Sequence, residues 1–571
     1  MKRLLLIASC VLSFAACDFD SAAMVETVEN RCFGDGTCSE GVCRDGICID
    51  ASNAIVEVAV EVVSDVSAPA TSPIPSSWTY APEEFTGPSA RDWSLPVTRE
   101  VRGTVRWDGR RVPAKLRFVR RIPSEVGPLQ AIPLDVDTTR VTAASDEQLA
   151  FDYSARLVVG ATYDVSVLPT DDAVVSSRSE VNPAIRTLPP LYLELTVEED
   201  AEGDPLRYDV EFPQAIAFVC DSVESTGCTI QAQVLTFDGE TDMPEAGLQV
   251  RAVDVETGIV VSSVAETTDA GLFAIRLGPA ATDYLIRVTP TVGGRSFPAV
   301  SVEPELVFSE NNPGKVIRIP RLDPVQYTGA VRDENGAPVA GATVRLFSPG
   351  VFDESQLGLF GSFSGSATTN EDGTFGLELL PGFYSLQVTP PEDDDTAWGV
   401  LSAEVAVAEE LSELETFVVP SKVGLMGEVS TLEDEPAPGL GVLARARLGE
   451  TGDGVNRSQE VASDGDGVFV MKMDRGLYDL RIAAPAESGY PWLVQPGLTM
   501  DEDIVRRYQL VPPVPVEGRV LASDGSPVPG VQLRAYAFAG EGAERRLLQV
   551  AQTTTDEEGA YRLLIAPGFV D

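Results

Sequence analysis

Gly329-Ala-Val331, Gly336-Ala-Pro338-Val-Ala-Gly341-Ala-Thr-Val344-Arg-Leu346, Asn370-Glu-Asp-Gly373-Thr-Phe375 and Pro381-Gly382-Phe-Tyr384-Ser-Leu386-Gln-Val388 form a phrase that this chain repeats. The same order returns near the C-terminus as Gly518-Arg-Val520, Gly525-Ser-Pro527-Val-Pro-Gly530-Val-Gln-Leu533, Asp556-Glu-Glu-Gly559-Ala-Tyr561 and Pro567-Gly568. Apolar residues alternate over short runs bounded by Gly, Pro and Asp, the pattern of half-buried antiparallel strands. Pro-Val-x-Gly pieces read as turns, because proline presets φ and glycine tolerates positive φ. Asp-Gly-x-Phe pieces, such as Asp372 to Phe375 and Asp466 to Phe469, read as hairpin turns that deliver an aromatic ring into a core. Many short strands with such turns, and no sustained helical period, predict an all-β chain of sandwich domains.

Five units align on their opening strand, at Gly103-Thr-Val105, Ala232-Gln-Val234, Gly329-Ala-Val331, Gly427-Glu-Val429 and Gly518-Arg-Val520. Their spacing is about one small domain. The first interval is longer, which places an insertion between Asn182 and Phe218.

The ordered pieces Gly-x-Val, Gly-x-Pro-Val-x-Gly-x-x-Val, Asp-x-x-Gly-x-Phe and Pro-Gly-x-Tyr-x-Leu-x-Val resemble the carboxypeptidase regulatory-like domain, over most of residues 97 to 571. Units three to five carry the pattern best. Unit two keeps its second half in Thr268-Asp-Ala-Gly271-Leu-Phe273 and Tyr284-Leu-Ile-Arg-Val288, and unit one departs, with Leu149-Ala-Phe151 in place of the glycine turn. The resemblance implies a prealbumin-like Greek-key sandwich with an accessory role, and it transfers no catalytic residue. The peptidase domain behind the family's name needs histidine zinc ligands, and this chain has no histidine.

That absence removes the commonest general base together with the commonest metal ligand. Serine–histidine and cysteine–histidine catalysis fall with it, as do histidine-containing zinc sites. Lysine is confined to Lys2, Lys115, Lys315, Lys422 and Lys472, too few to give each unit a Schiff-base lysine or a Lys–Asn isopeptide staple. The net charge of −46 over 571 residues opposes nucleic acid as a partner. Neither a cofactor nor a metal is expected, and the chain reads as no enzyme.

The N-terminus reads as an export address. Lys2-Arg3 and the apolar run Leu4 to Ala16 form a signal peptide over residues 1–16, ending in Ala15-Ala16-Cys17. This ending resembles a bacterial lipobox, with Phe14 where leucine is usual, and implies cleavage before Cys17 and a lipid on its thiol. Residues 17–50 then carry Cys32, Cys38, Cys43 and Cys48 between Gly-Asp turns, a span too small for a core and expected to be a knot of two disulfides with any of three pairings. A four-thiolate zinc knot is the alternative. Cys220 and Cys228 are expected to form a local clasp. Residues 51–96, with Ser67-Ala-Pro-Ala-Thr-Ser-Pro-Ile-Pro-Ser-Ser77, read as an extended Pro/Ser tether. The sandwiches follow at 97–215, 216–323, 324–421, 422–513 and 514–571.

Unit five stops at Pro567-Gly568-Phe569-Val-Asp571, where units three and four continue through further strands. An open edge there predicts either truncation or a strand donated by a partner or a neighbouring copy. Three surface features suggest contacts. A proline is followed by an aromatic at Phe297, Trp398 and Trp492, rings able to stack on a sugar or to plug the end of a sandwich. The apolar stretch Phe352 to Phe363 offers a contact patch, or covers a sheet edge. Asp464-Gly-Asp466-Gly467 and Glu392-Asp-Asp-Asp395 could hold calcium or be solvated acidic turns, and neither has an EF-hand order with its closing glutamate. The expected function is a lipid-anchored envelope or cell-surface protein, periplasmic or surface-exposed, presenting sandwiches for structural contact or adhesion to an envelope protein. The alternative is an array of carbohydrate-binding modules with a glycan as partner.

Overall fold

The computed structural model describes residues 42–44, 47–49, 55–64, 70–122, 131–138, 152–170, 188–199, 204–213, 219–237, 240–279, 281–290, 298–348, 359–391, 401–407, 414–447, 457–540 and 545–570. Unit three shows how the repeated phrase folds. Its opening strand Val325–Asp333 pairs antiparallel with Thr374–Leu379 and parallel with Glu415–Val419, making a three-stranded sheet. The second layer holds Leu359–Thr368, Thr343–Ser348, Gly382–Thr389 and Leu401–Val407, in that order. Unit four repeats both layers, with Val423–Ser430 central in the first and Gly441–Ala446 beside Gly476–Ala483 in the second. The alternation works as expected: in Thr343–Ser348 every second side chain is buried, so one face of each sheet closes on the core.

Two glycines show why the phrase is spelled as it is. A Cβ on Gly427 would lie 2.1 Å from the Phe469 ring, so the aromatic of the hairpin turn packs flat on the opening strand only where no side chain stands. Gly467 sits at φ 74° in that turn, and a Cβ there would meet the Val429 carbonyl oxygen at 2.4 Å.

Two expectations are corrected. The stretch between Asn182 and Phe218 is not simply an insertion, because it supplies the closing strands of unit one. Leu191–Thr196 pairs with Thr162–Pro169, while Leu206–Arg207 and Val210–Phe212 run parallel to Thr98–Gly103 and Val105–Trp107. Nor is 51–96 a tether. Ile55–Val63 is a strand paired antiparallel with Gln532–Ala539 of unit five, and it carries Ser77–Thr79 and Glu83–Thr86 at its other edge. Ser89–Ala90 and Trp93–Ser94 then run parallel to Val514–Leu521. The strands that unit five lacks in sequence are therefore supplied by the N-terminal segment of the same chain. Val56, Val58, Val60, Val62, Phe85, Trp93 and Leu95 share one buried cluster with Val514, Val516, Val520, Leu533, Tyr561 and Leu563.

This closure repeats two hydrogen bonds of unit one. There, Tyr153 Oη donates to the Tyr208 carbonyl at 2.5 Å, and the Thr104 amide donates to Asp209 Oδ1 at 2.9 Å. In unit five, Tyr561 Oη donates to the Arg91 carbonyl at 2.7 Å, and the Arg519 amide donates to Asp92 Oδ1 at 2.8 Å. Both opening glycines are pinned by the arriving strand: a Cβ would lie 1.8 Å from Tyr208 O at Gly103, and 1.9 Å from Arg91 O at Gly518.

Each unit touches the next. Unit two's Ala299–Val302 pairs with residues 359–362, fusing the second layers of units two and three into an eight-stranded sheet. The Phe352–Phe363 stretch, as far as it is described, thus covers a sheet edge, and that edge belongs to the neighbouring unit. Tyr192 Oη donates to Val260 O at 2.9 Å between units one and two, and Arg457 Nη1 to Pro390 O at 3.0 Å between three and four. Arg546 grips Asp479 through two hydrogen bonds of 2.6 and 3.1 Å between five and four. The N-terminal segment completes the circuit back to unit one, where the Arg156 amide donates to Ala70 O at 2.7 Å. Among the described residues no helix is long and apolar enough to cross a membrane.

Candidate functional site

The tryptophans organise the joints. Each of the four described ones carries a guanidinium over its ring: Arg91 on Trp93 at 4.9 Å, Arg120 on Trp78 at 4.3 Å, Arg276 on Trp107 at 5.1 Å and Arg481 on Trp492 at 4.8 Å. Such stacks gain when desolvated. Two of them join different parts of the fold, Trp78 of the N-terminal segment to unit one and Trp107 of unit one to unit two. Arg276 is buried, with Nε and Nη1 unpaired, and burial lowers its pKa to about 10.

Trp492 lies at the junction of units four and five. With Val494 it lines a cavity of about 280 Å³ whose other walls are Phe538, Ile565 and Phe569 of unit five and Val56 and Val58 of the N-terminal segment. The ring is half-buried, and one face is covered by Arg481. Phe297 and Trp398 lie outside the described residues.

The segment's strand carries a buried acid. Glu61 is 4% exposed, accepts from Tyr536 Oη at 3.1 Å and faces Arg534 Nη1 at 3.8 Å. Burial first, and then the Glu61 charge, push the Tyr536 phenol up to about 12. The hydroxyl therefore stays protonated and donates, tying the segment to unit five.

Cys220 and Cys228 form the expected disulfide, buried at the entry to unit two. Lys315 Nζ donates to the Cys220 carbonyl at 2.9 Å. Cys43 and Cys48 occupy directly opposite positions of a short hairpin, Val42–Arg44 with Ile47–Ile49. Cys17, Cys32 and Cys38 lie outside the described residues, as do Glu392 to Asp395. Asp464 spends its carboxylate on its own turn, accepting from the Asp466 and Val468 amides at 3.0 and 2.8 Å. No group of three or more potential metal ligands occurs among the described residues.

The displaced carboxylates move in one direction. Hydrogen bonding from Arg117 holds Asp135 at about 2, and hydrogen bonds from Arg102 and Ser154 lower Glu100. General-acid chemistry needs the opposite shift. Among the exposed apolar side chains of the described residues, three stand in register. Val470, Met426 and Val505 are register partners on the outer face of unit four's three-stranded sheet, 59%, 43% and 76% exposed. Sequence reading missed this row and the Arg–Trp stacks. The row was readable in the outward positions of the strands, whereas the stacks join distant residues.

Residues 326–406 match the family model of the carboxypeptidase regulatory-like domain. No curated protein matches the chain. Among solved structures, an ancillary pilin of Streptococcus is similar at 10% identity, covering 57% of this chain and 99% of its own, with a TM-score of 0.20. A minor pilin of Streptococcus agalactiae reaches 14% identity over 33% of this chain and 96% of its own, TM-score 0.22. The TIE protein of Bacillus anthracis reaches 9% over 72% and 74%, TM-score 0.16. At these scores the arrangements do not superpose, and the likeness goes no further.

Proposed function

We propose that this chain is a non-catalytic, lipid-anchored envelope protein that presents a closed set of β-sandwiches as a contact surface. The observation that carries the reading is the closure itself. The segment that follows the Cys-rich region is built into unit five and set against unit one, so the anchor would pull on a folded body and not on a free tether. Conspicuous polar groups in that body are spent on turns and joints, as at Asp464, Glu61 and Asp479. The leader and Cys17 support export and lipidation, and the Cys220–Cys228 disulfide suits an oxidising compartment. The exposed row Val470, Met426 and Val505 is the apolar face that such contact would use.

Palmitate labelling of wild type and Cys17→Ser tests the anchor: label is expected on the wild type and lost in the variant, and equal labelling would sink it. Glycan-array binding that disappears on Trp492→Ala would move the reading to the carbohydrate-binding alternative. Capture of envelope material that is lost on Val505→Asp, with thermal stability unchanged, supports structural contact.

A further inference from the structure

The cavity where the N-terminal segment covers unit one has the chemistry of a binding site. Arg120 ends the strand Ala114–Arg120, whose residues Ala114, Leu116 and Phe118 are core. It occupies the same inward face and is 7% exposed, its Nη2 meets no hydrogen-bond partner, and burial lowers its pKa. Burying a guanidinium with an unmet donor is unfavourable unless something compensates, as for other buried charges. Trp78 covers one face of the group at 4.3 Å, which leaves the donor unmet.

Arg120 also lines a cavity of about 310 Å³, at the lower end of ligand-pocket sizes. Its walls are mixed: Phe118 and Leu134 from unit one, Ile74 and Ser76 from the segment, and a second guanidinium, Arg156. Arg156 is only loosely held, with Nε 3.3 Å from Thr98 Oγ1 and Nη2 3.4 Å from Thr98 O. The carboxylate in the wall, Asp135, is already matched by Lys115 Nζ at 2.7 Å and Arg117 Nε at 2.8 Å. In a chain of net charge −46, two guanidiniums thus line this cavity, with the Glu61 charge acting on Arg120 and the Glu100 charge on Arg156 from outside its walls. Arg276, stacked in the same way on Trp107, lines neither this cavity nor the one at Trp492.

We infer that this cavity binds a small organic carboxylate, its head taken by Arg120 with Arg156 beside it and its body lying against Phe118, Ile74 and Leu134. Charge-assisted bonds from guanidinium to carboxylate are short and strong, and a dry setting strengthens them. A cavity that admits benzene is about 150 Å³, so the space here takes a single ring with its head group.

Calorimetric titration of the full chain with benzoate, benzyl alcohol and inorganic phosphate tests the inference. Benzoate is expected to bind with Kd below about 1 mM, benzyl alcohol and phosphate at least about tenfold more weakly, since each lacks one half of the match. Arg120→Gln should weaken benzoate by about tenfold or more and leave benzyl alcohol unchanged. Should that variant unfold unit one, Ala70→Leu fills the cavity from the segment side with Arg120 intact, and it should abolish benzoate binding. Benzoate binding that is absent, no tighter than benzyl alcohol or phosphate, or indifferent to both substitutions in folded protein would overturn the inference.

Discussion

Unit four draws every strand from one continuous stretch, Val423 to Gln509, whereas unit five takes its first strands from Val514 to Ile565 and the rest from Ile55 to Ser94. The resulting sheets are alike: Val423–Ser430 and Val514–Leu521 each have one antiparallel neighbour and parallel pairing along the other edge. The difference lies in which contacts can form early. Unit four closes with local turns, while unit five waits for the two ends of the chain to meet, a non-local pairing that is slow to find. The thermodynamic cost is smaller, because loop-closure entropy rises by only about 0.6 kcal/mol per doubling of loop length. The same sandwich therefore closes from one stretch of chain in one place and locks the two ends of the chain together in the other.

Removing the lock should break the comparison most strongly. Deletion of residues 55–95 is expected to leave unit four resistant to protease and to open unit five, with rapid cleavage beyond Pro515. Adding a peptide of residues 55–95 should restore protection. Cleavage spread equally over both units would mean that the segment stabilises the chain in general and not unit five in particular.

A smaller injury at the same place is Trp93→Ala. The ring is 2% exposed in the shared core, and its loss should cost about 3–5 kcal/mol, read as a lower urea midpoint for cleavage in both the N-terminal segment and unit five. Phe469→Ala should cost a similar amount in unit four and leave the segment protected, which separates the two assemblies.

Gly518→Ala sharpens the contrast further. Its Cβ collides with the backbone of the arriving strand at Arg91, whereas Gly427→Ala collides with a side chain of its own unit, Phe469. Overpacking of this kind costs about 1–3 kcal/mol. Hydrogen exchange should speed up at residues 89–94 in the first variant and stay unchanged there in the second.

How much of this was legible follows from range. The opening strands, the Pro-Val-x-Gly turns and the Asp-Gly-x-Phe hairpins of units three and four are local signals, and each element appears where its residues place it. Ile55-Val-Glu-Val-Ala-Val-Glu-Val-Val63 carries a local strand signal too, since it alternates over its whole length. It was overshadowed by the Pro/Ser run that follows, and nothing local names its partner at Gln532–Ala539. The kinship of Tyr208-Asp209-Val210 with Arg91-Asp92-Trp93 needs the register to be known, because only their Asp is shared. Of the site residues, the Cys220–Cys228 link was readable from proximity. The engagement of Trp492 by Arg481 was not, because spacing does not tell which face of a ring is free.

The smallest expected effect is one of pH, and it falls outside both regions. Asp135 is held at about 2, mainly by Arg117, below its ordinary value of 3.8. A carboxyl lowered on folding contributes stability that is present above the unfolded value and is lost as pH falls through the folded one. Unit one should therefore weaken between pH 3.8 and about 2, and Asp135→Asn should flatten that slope in an acid titration followed by tryptophan fluorescence. Its partners are partly exposed, so the slope will be shallow.

The central claim, that the chain closes unit five with its own N-terminal segment, is tested most directly by a cysteine pair. Val60 and Ala535 are buried and directly opposite across the seam. Val60→Cys with Ala535→Cys should oxidise to a disulfide within one chain, giving a monomer by mass and, on mapping, a linked peptide pair joining these two positions that the wild type lacks. Free thiols at both positions, or linkage only between chains, would contradict the closure.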